Sequence, residues 1–214
     1  MNKERERGSI RLILKEISAA YSSRIVIAQL SLQLEEGETL VVSGANGSGK
    51  STLLRLLCGL QRLHNGEIIY EHKGVAYGPS QASHLIGWVS PDLALYRELT
   101  ALENLRFFAQ VRGLRPSDSE LSALLDDVGL GGRDHDYVSS YSTGMQQRLR
   151  YAYALLHQPA VLLLDEPTVT LDERGSNTVA RIIERQRKHG IVVIATNDPR
   201  ELAWGDYVLT LGAS

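Results

Sequence analysis

Residues 44 to 51 read Gly-Ala-Asn-Gly-Ser-Gly-Lys-Ser and fit the pattern G-x-x-x-x-G-K-[ST]. These residue types suit one task, the holding of phosphate groups. Gly44, Gly47 and Gly49 let the backbone turn sharply and aim its N–H groups inward, with Asn46 and Ser48 between them. Lys50 brings a point charge to the β- and γ-phosphates of a nucleotide. Ser51 offers a hydroxyl to Mg²⁺, and Thr52 stands beside it. The helix expected to open at Lys50 adds the positive end of its dipole. At average residue usage the pattern arises by chance in on the order of 1% of chains this long, so context decides. Here an apolar run precedes it and a helical one follows, as the motif requires.

A second group of residues suits hydrolysis. In Val-Leu-Leu-Leu-Asp-Glu-Pro, residues 161 to 167, an apolar run ends on two carboxylates. Asp165 is placed to hold a water on Mg²⁺, and Glu166 to accept a proton from an attacking water. Two acids at this point could also mark a helix start, but after a phosphate loop the chemical reading prevails. A third run, residues 191 to 196, stops on Thr196-Asn197-Asp198. The Asn197 amide can donate a hydrogen bond to a terminal phosphate but cannot carry a proton. His189 precedes the same run and belongs at the opposite edge of a sheet.

The elements that must position these groups read as α/β. Residues 160–166 and 191–196 are continuous β-prone apolar runs, as expected of parallel strands buried on both faces; residues 39–44 read as a short buried strand before a glycine-rich turn, and 207–211 as a last strand. A helix from about Lys50 shows a stripe of Leu53, Leu54, Leu56, Leu57 and Leu60, and residues 173–190 have helical spacing ending on Gly190. Alternation of this kind implies a mostly parallel sheet wrapped by helices. Residues 9–38 and 66–77 hold shorter strand-like pieces that suggest a small antiparallel sheet. Residues 92–140 are mainly helical, with a strongly amphipathic segment over 99–114.

Bulk properties narrow the field. With 214 residues and 43% hydrophobic content, one full core is within reach. With a net charge of −2 and a pI near 6.3, nothing suggests a nucleic-acid binder or a basic membrane patch. The single cysteine, Cys58, suits a reducing compartment and reads as a core residue. The charged N-terminus lacks a secretory apolar stretch, and no run approaches the ~18 apolar residues of a bilayer span. The protein is expected to be soluble by itself and to work at a membrane only through a partner.

Taken with Tyr-Ser-Thr-Gly-Met, residues 141 to 145, these motifs resemble the ATP-binding subunit of an ABC transporter over nearly the whole chain. The resemblance implies a P-loop NTPase (RecA-like) fold: a mostly parallel sheet, a small antiparallel β-subdomain and an inserted helical subdomain. It implies one domain over 9–214, with 9–90 and 141–214 forming the ATP-binding core and 91–140 the helical part. Tyr21 stands where the family stacks an aromatic on adenine. Gly44, Asn46, Gly47, Ser48, Gly49, Lys50, Ser51 and Thr52 match its nucleotide-binding loop. Ser51 and Asp165 match its metal site, with ATP and Mg²⁺ as cofactors, and Glu166 and Asn197 fall at its catalytic positions. Ser142 and Gly144 match its signature, and Asp172 the loop after Glu166. The implied mechanism pairs two such domains head to tail, each ATP lying between one phosphate loop and the other signature helix. Dimer closure then drives a membrane-spanning partner from the cytoplasmic face, with export the expected direction.

Four positions depart from the family pattern. Its glutamine after the strand at 85–89 is Pro91, which has no side-chain donor. Asp92 could reach the metal instead, or simply occupy an exposed turn. The usual histidine is Asn197. The signature carries Thr143 and Met145 where Gly and Gln are usual. The resemblance also puts a partner helix near residues 91–108, against Leu95, Tyr96, Leu99 and Phe107, with Leu99 and Phe107 expected to pack the helical part instead. In type, the chain is similar to the haem-exporter ATPase of cytochrome c maturation, and a general export subunit fits equally. The alternative function is a binding switch, or half of a mixed pair, with little hydrolysis of its own. A soluble ATPase of DNA repair or translation is disfavoured by the absence of a coiled-coil insertion, tandem copy or basic patch.

Overall fold

The computed structural model describes residues 9–212 apart from Ser22 and Ser23, and leaves out the side chains of Tyr21 and Arg24. In chain order the elements are β1 (Ile10–Tyr21), β2 (Arg24–Glu35), β3 (Thr39–Ser43), α1 (Lys50–Leu57), β4 (Asn65–His72), β5 (Val75–Tyr77) and β6 (Ile86–Val89). There follow α2 (Ala101–Val111), α3 (Asp118–Asp127), α4 (Thr143–Leu155), β7 (Val161–Asp165), α5 (Glu173–Gln186), β8 (Ile191–Thr196) and β9 (Tyr207–Thr210). They form two sheets. One is antiparallel in the order β2-β1-β4-β5; the other runs β6-β7-β8-β3-β9, with every pairing parallel.

Strand periodicity explains how the parallel sheet serves two cores. In β3 and β7, Leu40, Val42, Val161 and Leu163 face α1 and the antiparallel sheet. Val41, Leu162 and Leu164 face the opposite way, where α4 and α5 close the second core. All of β7 and β8 is buried, the mark of parallel strands covered on both faces. Each such side chain contributes roughly 1.5–3 kcal/mol by leaving water.

In β1 the inward residues are Ile10, Leu12 and Leu14, then Ile17 and Ala19. The change of parity falls at Glu16, whose φ of 48° and register shift mark a bulge. One extra residue there returns the apolar side chains to the core. The helices are started by their own sequences. Thr100 accepts the Glu103 N–H while Glu103 accepts the Thr100 N–H, and Ser117 and Glu120 repeat the device before α3. Wholly buried Asn104 binds both backbone groups of Tyr96 at 2.9 Å, fixing the loop ahead of α2.

One expectation needs correction. Leu60 is not part of the buried stripe: α1 stops at Leu57, and Leu60 lies beyond the turn, 68% exposed. Phe107 packs within the helical part, edge-on to Tyr96 at 4.9 Å and to Phe108 at 5.5 Å, with 38% of its surface exposed. Cys58 packs against the first core, and burial pushes its thiol up to about 12.

His157 ties the turn after α4 to β6, its Nε2 lying 3.0 Å from the Ile86 carbonyl. Burial, then the charge of Arg112, pushes its pKa down to about 4. The unfolded imidazole takes a proton near 6.5. Between those values the native state holds fewer protons than the unfolded one, so stability falls as pH falls through that window. Denaturant titrations from pH 7 to 4 should show His157→Gln losing less stability than the native protein; equal losses would contradict this.

Candidate functional site

The parallel register brings the site together. Ser43 pairs with Thr196 and Asp165 with Ala195, so β3, β7 and β8 end at one edge of the sheet. The loops leaving those ends carry the phosphate pattern, the two carboxylates and Asn197. Gly44 has φ 151°, and a Cβ there would lie 2.6 Å from the Leu211 carbonyl, so only glycine fits.

Behind this edge lies a cavity of about 470 Å³, lined by Asn46, Gly47, Gly49, Lys50, Ser51, Thr52, Asp165 and Glu166 with Val26 and Pro91. Lys50 is 6% exposed. Its ammonium donates to the Gly44 carbonyl at 2.8 Å and lies 3.7 Å from Glu166 Oε1. Ser48 Oγ is buried with no partner among the described residues. The Ser51 hydroxyl donates to Asp165 Oδ1 at 3.2 Å. Burial raises the Asp165 carboxyl above its ordinary value, while Ser51, Lys50 and Arg55 pull it down. Glu166 has φ 48°, a sparsely populated conformation for a side-chain-bearing residue. Its N–H is held by the Ala195 carbonyl at 2.8 Å. Asn197 donates its backbone N–H to Glu166 Oε2 at 3.4 Å and its amide to Asn46 Oδ1 at 3.2 Å.

This arrangement suits an anion with a divalent cation. A buried ammonium beside a glycine-rich loop at a helix start suits a phosphate group. Ser51 and Asp165 converge as two hard oxygen donors. Among the described residues no cluster of three or more His, Cys, Asp or Glu could hold a metal alone. Magnesium fits that scarcity, since it is commonly held by one or two protein oxygens with phosphate and water completing its shell.

The remaining candidates fall elsewhere. Ser142 caps α4, accepting the Met145 N–H at 3.2 Å, and Asp172 caps α5, accepting the Gly175 N–H at 2.8 Å. Both are exposed. Neither they nor Gly144 line the cavity. The Tyr21 side chain lies outside the described residues. Pro91 does sit on the cavity wall, whereas Asp92 turns away to Arg55 at 3.1 Å, so the exposed-turn reading of Asp92 holds. Motif reasoning missed Val26, whose Cβ lies 3.1 Å from a Cβ built on Gly49. Nothing local to β2 signals that contact.

Comparison with known proteins agrees with this geometry. The sequence profile of the family described as ABC transporter matches residues 27–169. Linearmycin resistance ATP-binding protein LnrL of Bacillus subtilis is 33% identical over 86% of this chain, and the chain spans 60% of that relative's length. Cytochrome c biogenesis ATP-binding export protein CcmA of Rhizobium johnstonii is 37% identical over 86% of each chain. A solved structure of the ATP binding subunit of an ABC transporter superposes with a TM-score of 0.80 at 26% identity, covering 94% of this chain and 85% of that one. The chain belongs to the ABC transporter family and carries its ATP-binding domain.

Proposed function

We propose that the chain binds ATP with Mg²⁺ at this sheet edge, hydrolyses it, and serves as the motor subunit of an exporter. The observation that carries this reading is the meeting of phosphate loop, Ser51–Asp165 pair and Glu166 in one cavity. Lys50 and the backbone N–H groups of the loop hold the β- and γ-phosphates. Ser51 and Asp165 would hold Mg²⁺, which when bound neutralises charge on the phosphates. Glu166 orients the attacking water and accepts its proton. The Asn197 amide, now engaged by Asn46, exchanges that partner for the γ-phosphate. Being uncharged, it supplies a donor without the positive charge of an imidazolium.

Exposure of Ser142 and Asp172 supports a head-to-tail dimer in which the signature helix of one copy closes over the nucleotide of the other. Among the described residues no helix is long and apolar enough to cross a membrane. We propose that a membrane-spanning partner couples the chain to transport and holds it at the cytoplasmic face. A cavity of about 460 Å³ lined by Arg55, Leu60, Trp88, Leu93, Arg112 and Tyr153 offers that partner a groove, and Tyr96, Phe107 and Val111 are exposed apolar residues of the helical part. Export is supported by the printed names of the CcmA relatives, cytochrome c biogenesis ATP-binding export proteins. Pro91 on the cavity wall favours a second reading, a binding switch with slow turnover, because it removes a side-chain donor from the site.

Single-turnover hydrolysis of Mg-ATP by the purified chain at high concentration separates the two. The native protein is expected to cleave ATP and Glu166→Gln to be slower by about 10²–10⁴-fold. Asn197→Ala is expected to fall by about 10²-fold, the cost of one lost donor. If native and Glu166→Gln proteins both bind ATP and neither cleaves it, the motor reading fails and the switch stands.

A further inference from the structure

Glu201 is a carboxylate for which the site has so far had no use. It lies in the turn Pro199–Trp204 after β8, is 2% exposed, and sits beneath the same sheet edge. The Thr168 hydroxyl donates to its Oε1. Oε2 is buried and has no hydrogen-bond partner among the described residues. Wholly buried Thr196 ends β8, and its hydroxyl accepts the Asp198 N–H at 2.9 Å. From α4 comes Tyr151, which donates to the Pro167 carbonyl at 3.0 Å and feels the charge of Glu201. Asp198 and Arg200 are the charged neighbours on its own turn. Burial raises the Glu201 carboxyl above its ordinary range, against the pull of Thr168 and Thr196.

We infer that Glu201 is a positioning residue for ATP hydrolysis: through Thr168 it ties the loop behind Glu166 to the turn that follows Asn197. Thr168 is the second residue after Glu166, and the Glu201 turn begins just after Asn197 and Asp198. Besides this clamp, those two loops are joined by Glu166 N–H on the Ala195 carbonyl and Asn197 N–H on Glu166 Oε2. Glu166 holds an unfavourable φ of 48°, which persists only where the surroundings over-determine it. A buried carboxyl with an unpartnered oxygen is costly. An apolar side chain would fill the same space without that cost, but would not hold Thr168. The inference rests on the proposed hydrolytic function, and its test has one readout that does not.

The variants are Glu201→Ala, Glu201→Gln and Thr168→Val, the last removing only a hydroxyl. Three readouts apply: single-turnover rate, Mg-ATP affinity, and hydrogen exchange at the Glu166 and Asn197 amides. Glu201→Ala and Thr168→Val should each slow hydrolysis by about 10–10²-fold through misplacement of Glu166, with affinity held within about twofold. Their double variant should be no slower than either alone, and Glu201→Gln, which can still accept from Thr168, should keep most of the rate. Exchange at both amides should quicken in the slow variants. Native rates in Thr168→Val, or affinity and rate falling together with folded protein, would overturn the inference. If the native chain does not cleave ATP, the hydrolytic reading fails by itself. Exchange then decides the clamp: unaltered exchange at both amides in Thr168→Val overturns it, and quickened exchange upholds it.

Discussion

Parallel pairing of β3, β7 and β8 is the constraint on which everything else in this molecule depends. Because Ser43 is opposite Thr196 and Asp165 opposite Ala195, three chain segments far apart in sequence finish at a common edge. A parallel ladder leaves both faces to be covered, and the alternation of inward residues feeds two separate cores. The site is thus placed by strands that are themselves among the most completely buried parts of the chain. Its loops can carry strain because their ends are held. Glu166 is the clearest case, a positive-φ residue fixed by the Ala195 carbonyl at the next strand.

Electrostatics at that edge set one buried ammonium beside two carboxylates, an arrangement that suits an anion brought in with a divalent cation. The Lys50 ammonium is buried and satisfied by loop carbonyls, an arrangement that leaves its charge only partly balanced by Glu166. A buried cation is expensive unless paired, and polyphosphate is the partner that the loop geometry accommodates. Two carboxylates lie beside it with different surroundings. Asp165 is buried and bonded by Ser51, whereas Glu166 is partly open, at 24% side-chain exposure, and touches Lys50 and Asn197. This division suits one carboxylate to a metal shell and the other to a water. Asn197 places a neutral amide donor at this edge, and its bond to Asn46 shows that amide pointing into the loop.

Much of this was legible because it is local. The phosphate pattern and the carboxylates after an apolar run are each written within a few residues, and each lies where its spacing predicts. What was not legible depends on chain segments that meet only after folding. The helical stripe was extended to Leu60 because periodicity does not reveal where a helix stops, and the turn after Leu57 leaves Leu60 in solvent. The bulge at Glu16, Val26 against the phosphate loop and the Thr168–Glu201 bond all join partners distant in sequence or hidden in register. Asp92 illustrates the opposite case, a chemically tempting carboxylate that the fold directs to Arg55.

The most direct test of the nucleotide site is calorimetric titration of Mg-ATP into the native chain and into Lys50→Ala. The expected result is saturable binding by the native protein, weakened by about 10-fold or more in Lys50→Ala, as befits loss of a buried charge-assisted contact. Equal affinities in the two proteins, or no binding by a folded native chain, would contradict the assignment of this sheet edge as the ATP site.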